Sequence, residues 1–280
     1  MKKIVTVMLS LVLCCGLFAG CGDRNSDNVK LIDIKLTDEQ YAYAVQQNDT
    51  EMLASINAFL AQITSDGTFD TILDKYFGDG TPTGVTSATE DSTKNQLVLV
   101  TNAAFAPFEY VEGNQFYGID IEVAKLFADS RGEELVIKNI AFESVLEELR
   151  AGNADIAMAG LTVNEERKKI VTFSTEYYNA SQMLLVRGDD TTFDECETAA
   201  DVEEILNGWT SSKKIGYQNG TTGSFYIQGD EDWGFNGFPV TGSGYANGSL
   251  AVEDMINGNI DAVCIDEAPA RKLMENFNRR

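Results

Sequence analysis

Val145-Leu-Glu-Glu-Leu-Arg-Ala-Gly152-Asn-Ala-Asp155-Ile-Ala-Met-Ala-Gly160 aligns without gaps on Ala251-Val-Glu-Asp-Met-Ile-Asn-Gly258-Asn-Ile-Asp261-Ala-Val-Cys-Ile-Asp266. Each copy spaces apolar residues three and four apart, breaks at a glycine, and returns as a short apolar run, the pattern of helix, turn and strand. Strand and helix signals also alternate before the first copy, at Leu97 to Val100, Ile119 to Ser130 and Leu135 to Ile140. That alternation predicts an α/β fold with parallel strands. The duplication predicts two lobes of similar build. The copies end at Gly160 and Asp266, each at the carboxyl end of its strand, where open α/β sheets bind ligands.

Beyond Gly160 the chain reads Leu161-Thr162-Val163-Asn164-Glu165-Glu166-Arg167. Asn164 suits an N-cap, and Ser144 with Glu147 has the spacing of a capping box at the helix before. Arg167 then places a cation in a first turn whose free N–H groups already carry positive charge, an arrangement that wants an anion. A carboxylate can take two hydrogen bonds from the guanidinium, with the Thr162 hydroxyl and the Gly160 backbone beside it. The plainer alternative pairs Arg167 with Glu165 or Glu166 on a solvated face. In the second lobe Asp266 offers the opposite charge, so the two ends together suit a zwitterion; the alternative is that Asp266 only caps the helix beginning near Ala268.

Composition narrows the function. Of 280 residues 44% are hydrophobic, enough for two packed cores. The net charge of −23 argues against nucleic acid. The chain has no histidine, which removes serine–histidine and cysteine–histidine nucleophile pairs and imidazole ligands for zinc. No metal, cofactor or catalytic constellation is expected. The Gly-rich stretch Gln218 to Ser224 turns a strand into a helix but lacks the lysine of a phosphate-binding loop. Gly242 to Gly248 misses the dinucleotide spacing, and Asp230-Glu231-Asp232 reads as a solvated turn.

At the N-terminus Lys2 and Lys3 precede an apolar run from Ile4 to Phe18, too short for a comfortable membrane span and suited to export. Cys14 and Cys15 lie within it, which leaves Cys196 and Cys264 besides Cys21. Their pairing stays open, although Cys264 falls in an apolar run where a buried free thiol is the commoner case. Helical spacing follows through Leu53, Ile56, Leu60 and Ile63, and again through Phe69, Ile72, Leu73 and Phe77 to Gly78. Residues 79–95 lack periodicity and read as a flexible linker.

Thr101-Asn-Ala-Ala-Phe105-Ala-Pro107-Phe108-Glu-Tyr, Gly118-Ile-Asp-Ile-Glu, Ala159 to Arg167, Phe173-Ser-Thr-Glu-Tyr-Tyr and Gly220-Thr-Thr-Gly together resemble the extracellular solute-binding proteins of family 3, the amino-acid receptors of ABC importers. The resemblance implies a two-lobed, periplasmic-binding-protein-like (type II) fold that closes on its ligand. It implies that Gly160, Thr162, Arg167 and Thr222 hold an α-carboxylate, that Asp266 holds the α-ammonium, and that Phe105 and Phe142 flank the ligand side chain. Asn102 stands where relatives that take basic amino acids tend to carry an acid. With Gln218 and Ile265 it implies an uncharged side-chain pocket and a neutral polar ligand. Phe18-Ala19-Gly20-Cys21 resembles a lipoprotein processing site, with Cys21 acylated. The expected partners are an amino acid, a membrane permease, and the membrane through the lipid alone, for a monomeric receptor outside the cell. Alternatives on the same scaffold are a dehydratase-type lyase and an extracellular amino-acid sensor.

Leu36 to Val45 and Asp66 to Gly78 resemble the C-terminal part of that family, although here they come first. A circular permutation is therefore expected, with Arg280 near Val29. The expected division is a signal at 1–20, a lipid-anchored tether at 21–28, one lobe from 38–78 and 96–187, the other from 29–37 and 188–280, and the linker 79–95 between. The rival reading makes 29–78 a small separate domain.

Overall fold

The computed structural model describes residues 28–279. The signal segment, Cys21, the tether up to residue 27, and Arg280 lie outside the described residues.

Two five-stranded sheets organise the chain. The first lobe has the order Val171–Phe173, Ala44–Gln46, Ile156–Ala157, Gln96–Thr101, Glu134–Asn139. The second has Val29–Ile32, Gln182–Arg187, Ala262–Asp266, Lys214–Gln218, Thr241–Tyr245. In both, the first two pairings are antiparallel and the last two parallel. The duplicated unit thus supplies the central strand of each sheet. Parallel neighbours need a crossover, here through helices such as Ile119–Arg131 and Val145–Arg150 in one lobe and Gly248–Ile256 in the other. The expected capping box at Ser144 is absent, because Phe142–Ser144 forms a 3₁₀ turn that leads into the helix and leaves the Ser144 side chain without a cap bond.

The antiparallel strands come from the segments that pass between lobes. Glu39–Tyr41 pairs antiparallel with Tyr178–Ala180, and these two short strands form the hinge. The crossings therefore precede those expected near Tyr41 to Val45 and Met183 to Arg187. Gln182–Arg187 belongs to the second lobe rather than the first, since it pairs there on both edges with residues 182–186 buried.

Residues 38–78 build no separate domain. Helix Thr50–Ser65, capped by the Asp49 side chain, buries Met52, Ile56, Phe59, Leu60 and Ile63 in the same core as Leu97, Leu99 and Phe127. The next helix, Thr68–Phe77, buries Phe69, Ile72 and Tyr76, while Phe77 stays 50% exposed. Residues 79–95 are not a loose linker. Val85 is buried and exchanges two 2.8 Å backbone hydrogen bonds with Phe116, Ala88 N donates to Leu135 O, and Ser87 Oγ accepts from Ile137 N. An aperiodic segment still has backbone groups to satisfy, and here the first lobe satisfies them. The two ends of the described chain meet at Val29, whose N–H donates to Asn278 Oδ1 at 2.8 Å and whose carbonyl accepts from Asn278 Nδ2 at 2.9 Å. Cys264 is fully buried, Cys196 is half-buried, and both thiols are free. Among the described residues no helix is long and apolar enough to cross a membrane.

Candidate functional site

Gly160 lies three residues beyond the central strand of the first lobe, not at its end as expected, at φ +53°, a left-handed conformation that favours glycine. A Cβ there would lie 2.9 Å from the Phe105 ring. Its N–H donates to Asp120 Oδ2 at 3.0 Å, which fixes the turn that follows. Asn164 caps the four-residue helix Glu165–Lys168 by accepting from Arg167 N at 2.7 Å.

Arg167 is 7% exposed and reaches back to the strand end, donating from Nη1 to Thr162 O at 2.8 Å. Glu165 and Glu166, the plainer partners, are occupied by Lys168 and Lys169. Among the described residues no carboxylate lies within ion-pair distance of Arg167, which is held by backbone carbonyls and by aromatic rings. Burial lowers its pKa to about 10, so it remains charged at neutral pH.

From the second lobe Asp266, 5% exposed, precedes the helix Glu267–Asn278 but makes no side-chain cap bond. Its carboxylate faces the cleft and accepts from Tyr41 Oη at 2.5 Å. Burial, and then the neighbouring Glu39 carboxylate, push it up to about 7. Thr222 begins the helix Thr222–Gln228 and donates its hydroxyl to Thr162 Oγ1 at 3.1 Å, so the lobes touch at the proposed carboxylate position.

Phe105, Phe142, Gly160, Thr162, Arg167, Gln218, Thr222 and Asp266, eight of the nine ligand-binding positions expected from sequence, line one narrow cavity between the lobes, joined by Thr221. Asn102 stands just behind. Its Nδ2 donates to Ile140 O at 2.6 Å, so its Oδ1 must face Gln218, from whose Nε2 it accepts at 2.9 Å. This orientation leaves Gln218 Oε1 buried without a partner at the cavity wall. Ile265, also expected at the side-chain pocket, lines a neighbouring groove with Ala103, Ala104 and Asn247 instead.

Three participants escaped the sequence reading. Thr221 lines the cavity beside Thr222, with its hydroxyl donating to Gln218 O at 2.8 Å. Glu39, on the hinge strand and 5% exposed, accepts from Thr37 Oγ1 at 2.6 Å, Thr162 Oγ1 at 2.7 Å and Gln182 Nε2 at 2.9 Å. Its sequence surroundings read as those of a solvated glutamate in an acidic chain. Trp233 lies 5.0 Å from Arg167 Cζ, and nothing in its local sequence announces that contact.

A family model for "Bacterial extracellular solute-binding proteins, family 3" matches residues 97–273. The arginine-binding extracellular protein ArtP of Bacillus subtilis is 36% identical over 109 residues, 39% of this chain and 43% of that protein, so the chain matches less than half of its length. The ABC transporter arginine-binding protein 1 of Escherichia coli K12 is 32% identical over 66% of this chain and 68% of that one. Among solved structures, an ancestral arginine-binding protein, bound to arginine in one and to glutamine in another, is 29% identical with a TM-score of 0.56, covering 66% of this chain and 76% of that chain. The duplicated lobes, the hinge and the matched 97–273 segment lead to one assignment: this chain belongs to the bacterial extracellular solute-binding proteins, family 3.

Proposed function

We propose that this protein captures a free amino acid outside the cell by its α-carboxylate and α-ammonium and delivers it to an ABC-type permease, tethered as a lipoprotein through Cys21. The observation that carries the reading is a buried guanidinium and a buried carboxylate, Arg167 and Asp266, held on opposite lobes around one cavity. Buried charges are retained where each gains a partner, and a zwitterion partners both at once. The ligand is neutral and polar, of the glutamine type. Gln218 Oε1 asks for a donor, a side-chain amide supplies one, and neither Asn102 nor Gln218 carries charge. Thermal shift against the twenty amino acids tests this, since a ligand at a hundred times its Kd stabilises by about 2.7 kcal/mol.

Glu39 favours a second reading. Two buried carboxylates, Glu39 and Asp266, act on one buried guanidinium, and a ligand with a cationic side chain would balance that excess. The relatives named above as arginine-binding agree with it. Tight, preferred binding of arginine over glutamine would select this second reading.

We further infer that the chain is a circular permutant of the family pattern. The support is that residues 29–78 precede the matched segment yet provide the Ala44–Gln46 strand of one sheet and the Val29–Ile32 edge of the other. The pairing of Asn278 with Val29 agrees, since it makes the two ends neighbours.

A further inference from the structure

Arg167 is approached from the second lobe at two points. Its Nη2 donates to Gly220 O at 3.3 Å, and the Trp233 ring stands 5.0 Å from Cζ, while Phe142 of the first lobe stands 5.6 Å away. The guanidinium thus lies over two aromatic rings while its N–H groups serve hydrogen-bond acceptors.

The turn that carries Trp233 is built to hold it. Asp230 and Phe235 exchange backbone hydrogen bonds of 2.8 and 2.9 Å, and Asp230 Oδ1 accepts from the N–H groups of Asp232 at 3.0 Å and Trp233 at 3.2 Å. Asp230 is therefore a turn cap rather than one of three solvated charges. The Trp233 ring stacks on Phe225 at 4.5 Å, and Tyr226 packs edge-on against Phe235 at 5.4 Å. Gly237, at φ +69°, closes the base of the turn so tightly that a Cβ would fall 2.5 Å from the Gln228 carbonyl carbon.

We propose that Trp233 is a positioning residue that clasps Arg167 when the lobes close and lengthens the life of the closed, liganded state. Arg167 and Phe142 belong to one lobe and Trp233 to the other, so the Trp233 contact exists only in the closed arrangement. The Trp233 contact uses no N–H of the guanidinium, so it adds to the hydrogen bonds that Nη1 and Nη2 make to Thr162 O and Gly220 O without competing for them. This inference rests on the amino-acid reading above.

Trp209 and Trp233 are the two tryptophans, so Trp209→Phe leaves Trp233 as the sole emitter when light beyond the tyrosine absorption is used for excitation. Titrated with glutamine and with arginine, that variant should change its emission with the same midpoint as the binding heat. Trp233→Leu should weaken binding about tenfold, mainly through faster dissociation, and Trp233→Phe should recover most of the loss. Binding heat with silent emission overturns the clasp, as does a Trp233→Leu protein that binds and dissociates like the parent. A parent that binds none of the twenty amino acids overturns the amino-acid reading and the clasp with it. The emission experiment leaves the turn unaltered and does not depend on how Trp233→Leu folds.

Discussion

Tyr41 on the hinge donates its phenol hydrogen to Asp266 Oδ1 at 2.5 Å, joining the crossover strand to the central strand of the second lobe. The carboxylate proposed to meet an ammonium is therefore already oriented before a ligand arrives, with burial and Glu39 holding its pKa up at about 7.

A pH dependence follows with opposite signs for folding and binding. Between the ordinary value of 3.8 and about 7, Asp266 holds a proton in the folded, empty protein that the unfolded chain has released. Its contribution to stability is present below 3.8 and is lost as pH rises through about 7. An ammonium ligand needs the ionised form, so affinity should fall as pH is lowered from 8 to 5. Calorimetry near pH 6 in buffers of different ionisation heat should report release of about one proton per ligand bound. Asp266→Asn should abolish that release; equal release from the variant and the parent would contradict the assignment.

Removal of either charge should disable the site and spare the fold. Arg167→Ala should show no measurable amino-acid binding while melting as a single cooperative unit. Asp266→Ala should weaken binding by about 3–5 kcal/mol, because the ligand ammonium is then buried without its partner. The surface pair of Lys168 and Glu165 is the control: Lys168→Ala should alter affinity by less than about 1 kcal/mol.

On the proposed reading Asn102, hydrogen-bonded to Gln218 behind the cavity, keeps the side-chain pocket uncharged. Asn102→Asp should raise affinity for arginine relative to glutamine by at least about tenfold, a shift of roughly 1.4 kcal/mol. Competition titration of the two amino acids checks it, and an unchanged ratio would remove Asn102 from the specificity account.

The permutation is open to direct reordering. A chain that begins at Gln96, runs from Asn278 through a short glycine-serine link into Val29, and ends at Asn95 keeps every strand pairing described above. It should melt within a few degrees of the parent and bind the same amino acid. Loss of cooperative melting would show that the present order is needed by the fold.

The centres of both sheets were legible because the duplicated unit carries helix, glycine and strand in register, and its two ends fall on Gly160 and Asp266. Arg167 was legible because its charge opposes the helix start it occupies. Glu39 was not, since a lone glutamate in an acidic chain looks solvated until the hinge folds Thr162 and Gln182 against it. Trp233 was hidden for a similar reason: its partner lies in the other lobe, and no local period encodes a contact across a cleft. The strap at 79–95 was misread because its order comes from backbone hydrogen bonds to the first lobe, which leave no pattern in side-chain polarity.

The central claim is that a zwitterion spans Arg167 and Asp266. The amino acid that gives the largest thermal shift should be compared by titration calorimetry with its carboxyl-amidated and its N-acetylated derivatives. Each derivative removes one charge and should lose at least about a hundredfold in affinity, or roughly 2.7 kcal/mol. A derivative that binds as tightly as the free amino acid would contradict the account.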